Sequence, residues 1–203
     1  MATIYTIGHS TRTLDELVGA LKAHGVSTLV DIRSFPMSRR LPHFNRASLE
    51  VELPKHGIDY VWMKELGGRR KKIRNDSPNT GLRNDSFRNY ADYMLTPEFA
   101  QAIERLLEIT KETADPSTAF GRSGDLTSPG MTGTKSAGNT AIMCAERVYL
   151  QCHRMLVSDY LTAHGHAVLH IDDDKHLPRQ HKLMAEARLV DDKLVYNAPD
   201  LFR

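Results

Sequence analysis

The run Thr28-Leu29-Val30-Asp31-Ile32 places the tightest constraint on how this chain folds. A strand with one solvated face alternates polar and apolar residues, whereas a strand covered on both faces reads as an almost unbroken apolar run. Thr28–Ile32 is of the second kind and therefore requires layers on both sides. The residues before it supply one layer. Thr3–Ile7 alternates, is rich in β-branched residues and stops at Gly8-His9-Ser10, as a first strand ending in a turn would. Thr13 and Glu16 have capping-box spacing, Leu14, Leu17, Val18 and Leu21 follow at helical spacing, and Gly25 is placed as a terminator. The spacing predicts a helix over Leu14–His24 and hence a β-α-β unit.

The same grammar continues along the chain. Ala47–His56 reads as a helix despite Pro54, and Gly57 closes it before a strand at Ile58–Met63. Leu66-Gly67-Gly68 opens a basic run, and Asn75–Ser86 has the Asn, Asp, Ser, Pro and Gly content of a long loop. Phe87–Met94 is helical, and Thr96-Pro97-Glu98 marks the start of a helix reaching about Lys111. Thr140–Cys144 reads as a buried strand, Tyr149–His164 as a helix ended by Gly165, His166–Ile171 as a strand, and the stretch around His181–Leu189 as a last helix. The expected fold is α/β: a single domain over residues 1–203, with a mostly parallel sheet of about five strands and helices on both faces. Ala114–Asn139, dominated by Gly, Ser, Thr and Pro, interrupts the pattern and reads as a flexible insertion loop, either a lid or a passive insertion.

Composition narrows the function classes. No stretch approaches the roughly 20 apolar residues of a membrane span, and Met1–Tyr5 runs straight into a strand, so a cytoplasmic protein without a signal peptide or membrane partner is expected. Two cysteines in 203 residues cannot form a disulfide framework; each is a small buried hydrophobe or a thiol with a task. The net charge of +2 is too small to imply nucleic-acid binding by itself. The cations are clustered, however. Residues 64–74 carry six Lys and Arg against Glu65, with Arg39 and Arg40 upstream, as a solvated loop or a phosphate-contacting surface would.

Ligands of open α/β sheets bind beyond the carboxyl ends of the strands. Those ends carry Gly8, His9 and Ser10, then Asp31, Arg33 and Ser34, then Glu65, Gly67 and Gly68, then Cys144 and Glu146, and last His170 with Asp172. Polar residues at every strand end predict one shared pocket. Cys144 and Glu146 are two residues apart, so along an extended backbone both side chains face one side. Cys152, His153 and Arg154 lie at the start of the next helix, whose positive end together with Arg154 favours a thiolate and makes Cys152 the more reactive thiol. Arg33 and Arg154 supply fork geometry for phosphate or carboxylate, and Gly8, Gly67 and Gly68 permit close backbone approach to an anion. For Arg33 the alternative is an ion pair with Asp31 or Glu146. Among His9, His43, His153 and His170, the best-placed acid–base groups are His153 and His9.

Tyr-Thr-Ile-Gly-His-Ser near the start, Val-Asp-Ile-Arg-Ser-Phe-Pro ending at Pro36, Leu-Gly-Gly from Leu66, and Cys-Ala-Glu followed by Cys-His-Arg resemble domain of unknown function 488, in the family's order and over nearly the whole chain. The resemblance implies a bacterial-type cytoplasmic α/β protein and transfers no catalytic residue, and Ala114–Asn139 looks like an insertion by comparison with it. A weaker resemblance, carried by the helix leading into Leu-Val-Asp-Ile-Arg, is to rhodanese and cysteine-phosphatase domains. Those place a glycine-lined anion loop between cysteine and arginine, whereas Cys144 is followed by Arg147 and Arg154 without loop glycines.

Three readings follow. The first is an enzyme acting on a phosphate-bearing substrate, a nucleotide or nucleic acid among the candidates. Cys152 or Cys144 would be its nucleophile, Glu146 or His153 would move protons, and Gly8, His9, Ser10, Arg33, Gly67, Gly68 and Arg154 would hold the anion. The second is a zinc or iron site built from Cys144, Glu146, Cys152 and His153. The third is a nucleic-acid-binding module using residues 64–74, with structural cysteines.

Overall fold

A computed structural model describes residues 1–115, 117 and 137–197. Its principal sheet contains β1 (Thr3–Gly8), β2 (Val26–Asp31), β3 (Asp59–Trp62), β4 (Asn139–Cys144), β5 (Ala167–Ile171) and β6 (Arg179–Gln180), in the spatial order β3-β2-β4-β1-β5-β6. The first five strands pair in parallel, and β6 adds a two-residue antiparallel edge on β5. Five parallel strands were legible; the short edge was not. The expected loop at Ala114–Asn139 falls almost entirely outside the described residues.

The connections explain why both faces are covered. From β1 to β2 and from β2 to β3 the chain steps one way across the sheet, through α1 (Leu14–Ala23) and α2 (Arg46–Lys55). From β3 to β4 and from β4 to β5 it steps back, through α3 (Asp85–Tyr93) with α4 (Pro97–Ala114), then α5 (Arg154–Ala163). Right-handed crossovers put helices on opposite faces when the direction of travel reverses. The buried residues divide accordingly. Leu17, Leu21, Leu49 and Leu53 pack with Ile7, Leu29, Ala141 and Met143 on one face. Tyr90, Phe99, Leu106 and Leu156 pack with Ile4, Val30 and Ile142 on the other. Adjacent strand residues such as Leu29 and Val30 serve opposite cores, which is why β2 carries apolar residues at successive positions there.

Local signals hold where they were strongest. Thr13 and Glu16 form the reciprocal capping box, and Gly25 takes a φ of +62° just past α1. The helix expected around His181–Leu189 is a correction: β7 (Ala187–Val190) and β8 (Lys193–Tyr196) form an antiparallel hairpin. Its two-residue loop, Asp191-Asp192, has φ of +46° and +62°, the turn form whose twist matches the strands it joins. The hairpin brings Tyr196 and Leu194 into the core shared with α3–α5. Among the described residues no helix is long and apolar enough to cross a membrane.

Candidate functional site

β1, β4 and β2 lie side by side and end together, with Gly8 opposite Cys144 and Asp31 opposite Met143. The chain leaves β1 toward one face and β4 toward the other, which makes this the switch point where an α/β sheet opens a crevice. The loop after β4 is drawn tightly over it. The His9 and Ser10 N–H groups donate to the carbonyls of Cys144 and Ala145 at 3.0 and 2.8 Å. A Cβ on Gly8 would overlap the Glu146 carbonyl, so Gly8 is there to let this loop pass. Arg154, the first residue of α5 and only 1% exposed, donates from Nη2 to the Glu146 and Arg147 carbonyls and from Nη1 to Thr6 Oγ1.

The helix expected over Tyr149–His164 is broken where it matters. Tyr149–Gln151 is a single 3₁₀ turn, Cys152 is extended with φ −131° and ψ 148°, and α5 begins only at Arg154. That break turns Cys152 inward, where its sulfur accepts the Arg154 backbone N–H at 3.5 Å. His153 Nδ1 lies 3.8 Å from Cys144 Sγ and 3.5 Å from Cys152 Sγ. Its Nε2 is 3.0 Å from the Ile32 carbonyl, which can only accept, so Nε2 carries the hydrogen and the Nδ1 lone pair faces the two sulfurs. The three ligand atoms lie within 4.8 Å of one another, and all three residues are buried.

Electrostatics separate the thiols. The Cys152 thiol is pushed down, first by the neighbouring Cys144 thiol and then by the Arg154 guanidinium, against the cost of burial. Cys144 is pushed up, first by the neighbouring Cys152 and then by its own burial. Of the two, Cys152 is the one favoured as thiolate and Cys144 the one favoured as thiol.

The remaining expected site residues disperse. Glu146 is exposed, because the chain bends after Cys144 instead of continuing extended; only its carbonyl joins the site. Arg33 lies against Asp31, its Nη2 at 2.5 Å from Oδ2, and also donates to the Phe44 carbonyl at 2.8 Å, which is the ion-pair alternative. Its Nη1 faces His9 Nε2 at 3.1 Å, while His9 Nδ1–H donates to the Ser10 carbonyl. Burial, and then Arg33, bring the His9 pKa down to about 4, so the ring is neutral near pH 7. Gly67 and Gly68 make close approaches, but to Ser34 and to the His153 ring. Ser10, with φ of +49°, lines a separate cleft of about 530 Å³ with Arg12, Arg147 and Asp172, and the cysteines do not border it. Sequence reasoning missed Tyr90, whose ring lies 5.2 Å from that of His153 and whose hydroxyl donates to the Leu66 carbonyl. Only the helical spacing of Phe87–Met94 hinted that it faces inward.

A second buried cluster adjoins the first through Arg154. Thr6 Oγ1, which accepts from Arg154, is hydrogen-bonded to His170 Nδ1 at 2.8 Å; His170 Nε2 is hydrogen-bonded to His181 Nδ1 at 2.9 Å; and His181 Nε2–H donates to Asp159 Oδ1 at 2.8 Å. Tyr196 OH and the Met184 N–H complete the Asp159 carboxylate. Tyr149 stacks on His170 with ring centroids 3.5 Å apart. Burial, and then His181 and Arg154, push His170 down to about 3.

A family model described as Domain of unknown function DUF488 matches residues 13–117, just over half of the 203. The Val-Asp-Ile-Arg-Ser-Phe-Pro and Leu-Gly-Gly motifs lie inside the match, whereas the opening Gly-His-Ser and both cysteine motifs lie beyond it. No curated protein and no solved structure matches the chain. The sequence match therefore carries the assignment, and the chain belongs to the DUF488 family.

Proposed function

We propose that Cys144, Cys152 and His153 bind one zinc-class metal ion whose fourth position is left for water or for an anionic, phosphate-bearing substrate. One observation carries this reading: the spacing of the ligand atoms. With zinc–sulfur near 2.3 Å and zinc–nitrogen near 2.1 Å, a tetrahedral site separates sulfur from nitrogen by about 3.6 Å. The two separations at His153 Nδ1 are 3.8 and 3.5 Å. The donor set agrees, since thiolates with imidazole suit zinc or iron over magnesium or calcium. The Ile32 carbonyl plays the usual outer-shell part, fixing the tautomer that leaves Nδ1 free to ligate. Three protein ligands with an open fourth position are typical of catalytic zinc, which lowers the pKa of its water and polarises bound oxygen. Cysteines ligate as thiolates, and the Cys144 thiol is pushed up, so affinity rises with pH.

A second reading keeps the thiols without metal. The Arg154 N–H and the neighbouring Cys144 thiol both stabilise a Cys152 thiolate, which would attack the substrate directly. One experiment separates the two. Protein purified in reductant without added metal, then titrated with zinc and desalted, is expected to hold about one zinc per chain by elemental analysis, and Cys144→Ser and His153→Ala proteins to hold far less. Wild-type protein that stays metal-free, with Cys152 still alkylated faster than Cys144 by iodoacetamide, would replace the metal reading with the thiol one.

A further inference from the structure

The surface beside the thiol site is unusual in charge and in shape. Residues 34–46 and 63–75, the loops that follow β2 and β3, carry nine Lys and Arg side chains against one acid, Glu65. They form one surface: the Arg69 N–H donates to Ser34 Oγ at 2.9 Å, and Trp62 Nε1–H donates to the Arg33 carbonyl at 2.9 Å. Large apolar side chains stand exposed among the cations, with Phe35 at 65%, Met37 at 82% and Ile73 at 55%. A loop that merely needed to stay hydrated would not leave three such side chains in water beside nine cations. The pattern is that of a surface meeting a partner that is both anionic and flat or apolar.

Three guanidinium groups stand over aromatic rings. Arg69 Cζ is 5.7 Å from the Phe35 centroid, Arg46 Cζ is 4.5 Å from that of Trp62, and Arg70 Cζ is 3.6 Å from that of Tyr93. Arg70 is also held by the Lys64 and Glu65 carbonyls and belongs to the framework, whereas Arg69 and Phe35 are both exposed. The basic run continues into a cleft of about 410 Å³, where Lys72, Arg74 and the amides of Asn75 and Asn89 share the lining with Asp85 and Asp92. On a nucleic acid, the cations would meet phosphates, Phe35 and the guanidinium groups base faces, and the amides base edges. Exposed ring faces stack only on bases that are unpaired, which selects a single strand over a duplex. An anionic membrane would also attract cations with Phe, Met and Ile, but the exposed Phe35 ring beside the Arg69 guanidinium favours planar bases.

We infer that the loops 34–46 and 63–75 bind single-stranded nucleic acid, with Phe35 and Arg69 as a stacking platform and the run up to Arg74 tracking the phosphates. None of these residues is a ligand in the proposed metal centre, so this inference stands or falls independently of it.

The test is fluorescence anisotropy of full-length protein with fluorescein-labelled twenty-nucleotide oligo(dT) and oligo(U). Controls are a duplex of equal length and phosphatidylserine vesicles measured by co-sedimentation, each with EDTA-treated and with zinc-loaded protein. Expected are binding of the single strands ahead of the duplex under both metal conditions, and a loss of about 50-fold in affinity between 50 and 200 mM salt if about four phosphates are contacted. Phe35→Ala should weaken binding about tenfold without changing the salt slope. Arg69→Glu with Lys71→Glu should flatten the slope. These side chains are exposed, so the variants remain folded. No binding at 50 mM salt, wild-type affinity in Phe35→Ala, or tighter association with vesicles than with oligonucleotides would overturn the inference.

Discussion

Two buried histidine clusters share Arg154 and differ in how their atoms are satisfied. From Arg154 through Thr6, His170 and His181 to Asp159, each side chain hydrogen-bonds to the next, so a guanidinium at one end is joined to a carboxylate at the other. At Cys144, Cys152 and His153 the atoms converge instead: two sulfurs and one imidazole nitrogen face each other. Hydrogen bonds in a chain polarise one another, and a closed chain fixes one arrangement of its parts. Convergent lone pairs repel unless something positive sits between them. The hydrogen-bonded chain holds β5, α5 and the tail hairpin together through Asp159 and Tyr196, and the convergent cluster is the one that the proposed metal site uses.

Acid should break the chain with the largest effect. In the unfolded protein His9 and His170 take up protons as the pH falls through about 6.5. In the folded protein they resist until about 4 and about 3. The unfolded state binds more protons throughout that window, so stability rises with pH there and is lost as pH falls from 6.5 toward 4, by about 3 kcal/mol for each histidine. Urea midpoints at pH 7 and pH 4 measure this. A His170→Asn protein, which cannot protonate at that position, should be less stable at pH 7 but show a flatter acid slope. An unchanged slope would remove His170 from the account.

Asp159→Ala should come next. It leaves His181 Nε2–H, Tyr196 OH and the Met184 N–H without their buried acceptor. A loss of about 3–5 kcal/mol is expected from chemical denaturation. Zinc content of the folded fraction should not change. Loss of zinc in folded Asp159→Ala protein would show that the two clusters act as one.

How much of this was legible depended on the distance over which each signal acts. The apolar β2 run, the Thr13–Glu16 cap and Gly25 are local and were read correctly, because backbone preference and core pattern agree there. The tail was misread because Leu183, Met184, Ala187 and Leu189 imitate a helical stripe, while the decisive signal was Asp191-Asp192 taking two positive φ angles ahead of Leu194-Val195-Tyr196. At the site, the sequence identified Cys144, Cys152 and His153 as candidates but could not show where Cys152 breaks the helix or that Ile32 sets the His153 tautomer. Charge alone could not separate Arg33 and Arg154 as anion clamps from what the fold provides: Asp31 beside one and three oxygen acceptors around the other. Partners far apart in sequence decide such roles.

Glu146→Ala should have the smallest effect and bears most directly on the convergent cluster. By spacing alone, Glu146 is a fourth ligand or a proton carrier beside Cys144. In the fold its side chain is exposed, while its carbonyl, which alanine retains, accepts from Arg154. The expected change in stability is therefore within about 0.5 kcal/mol, and zinc per chain should match the wild type. A clear drop in zinc would show that the 145–148 loop turns its carboxylate inward when metal arrives. The centre would then be four-coordinate and closed, and the open position on which substrate chemistry depends would be lost.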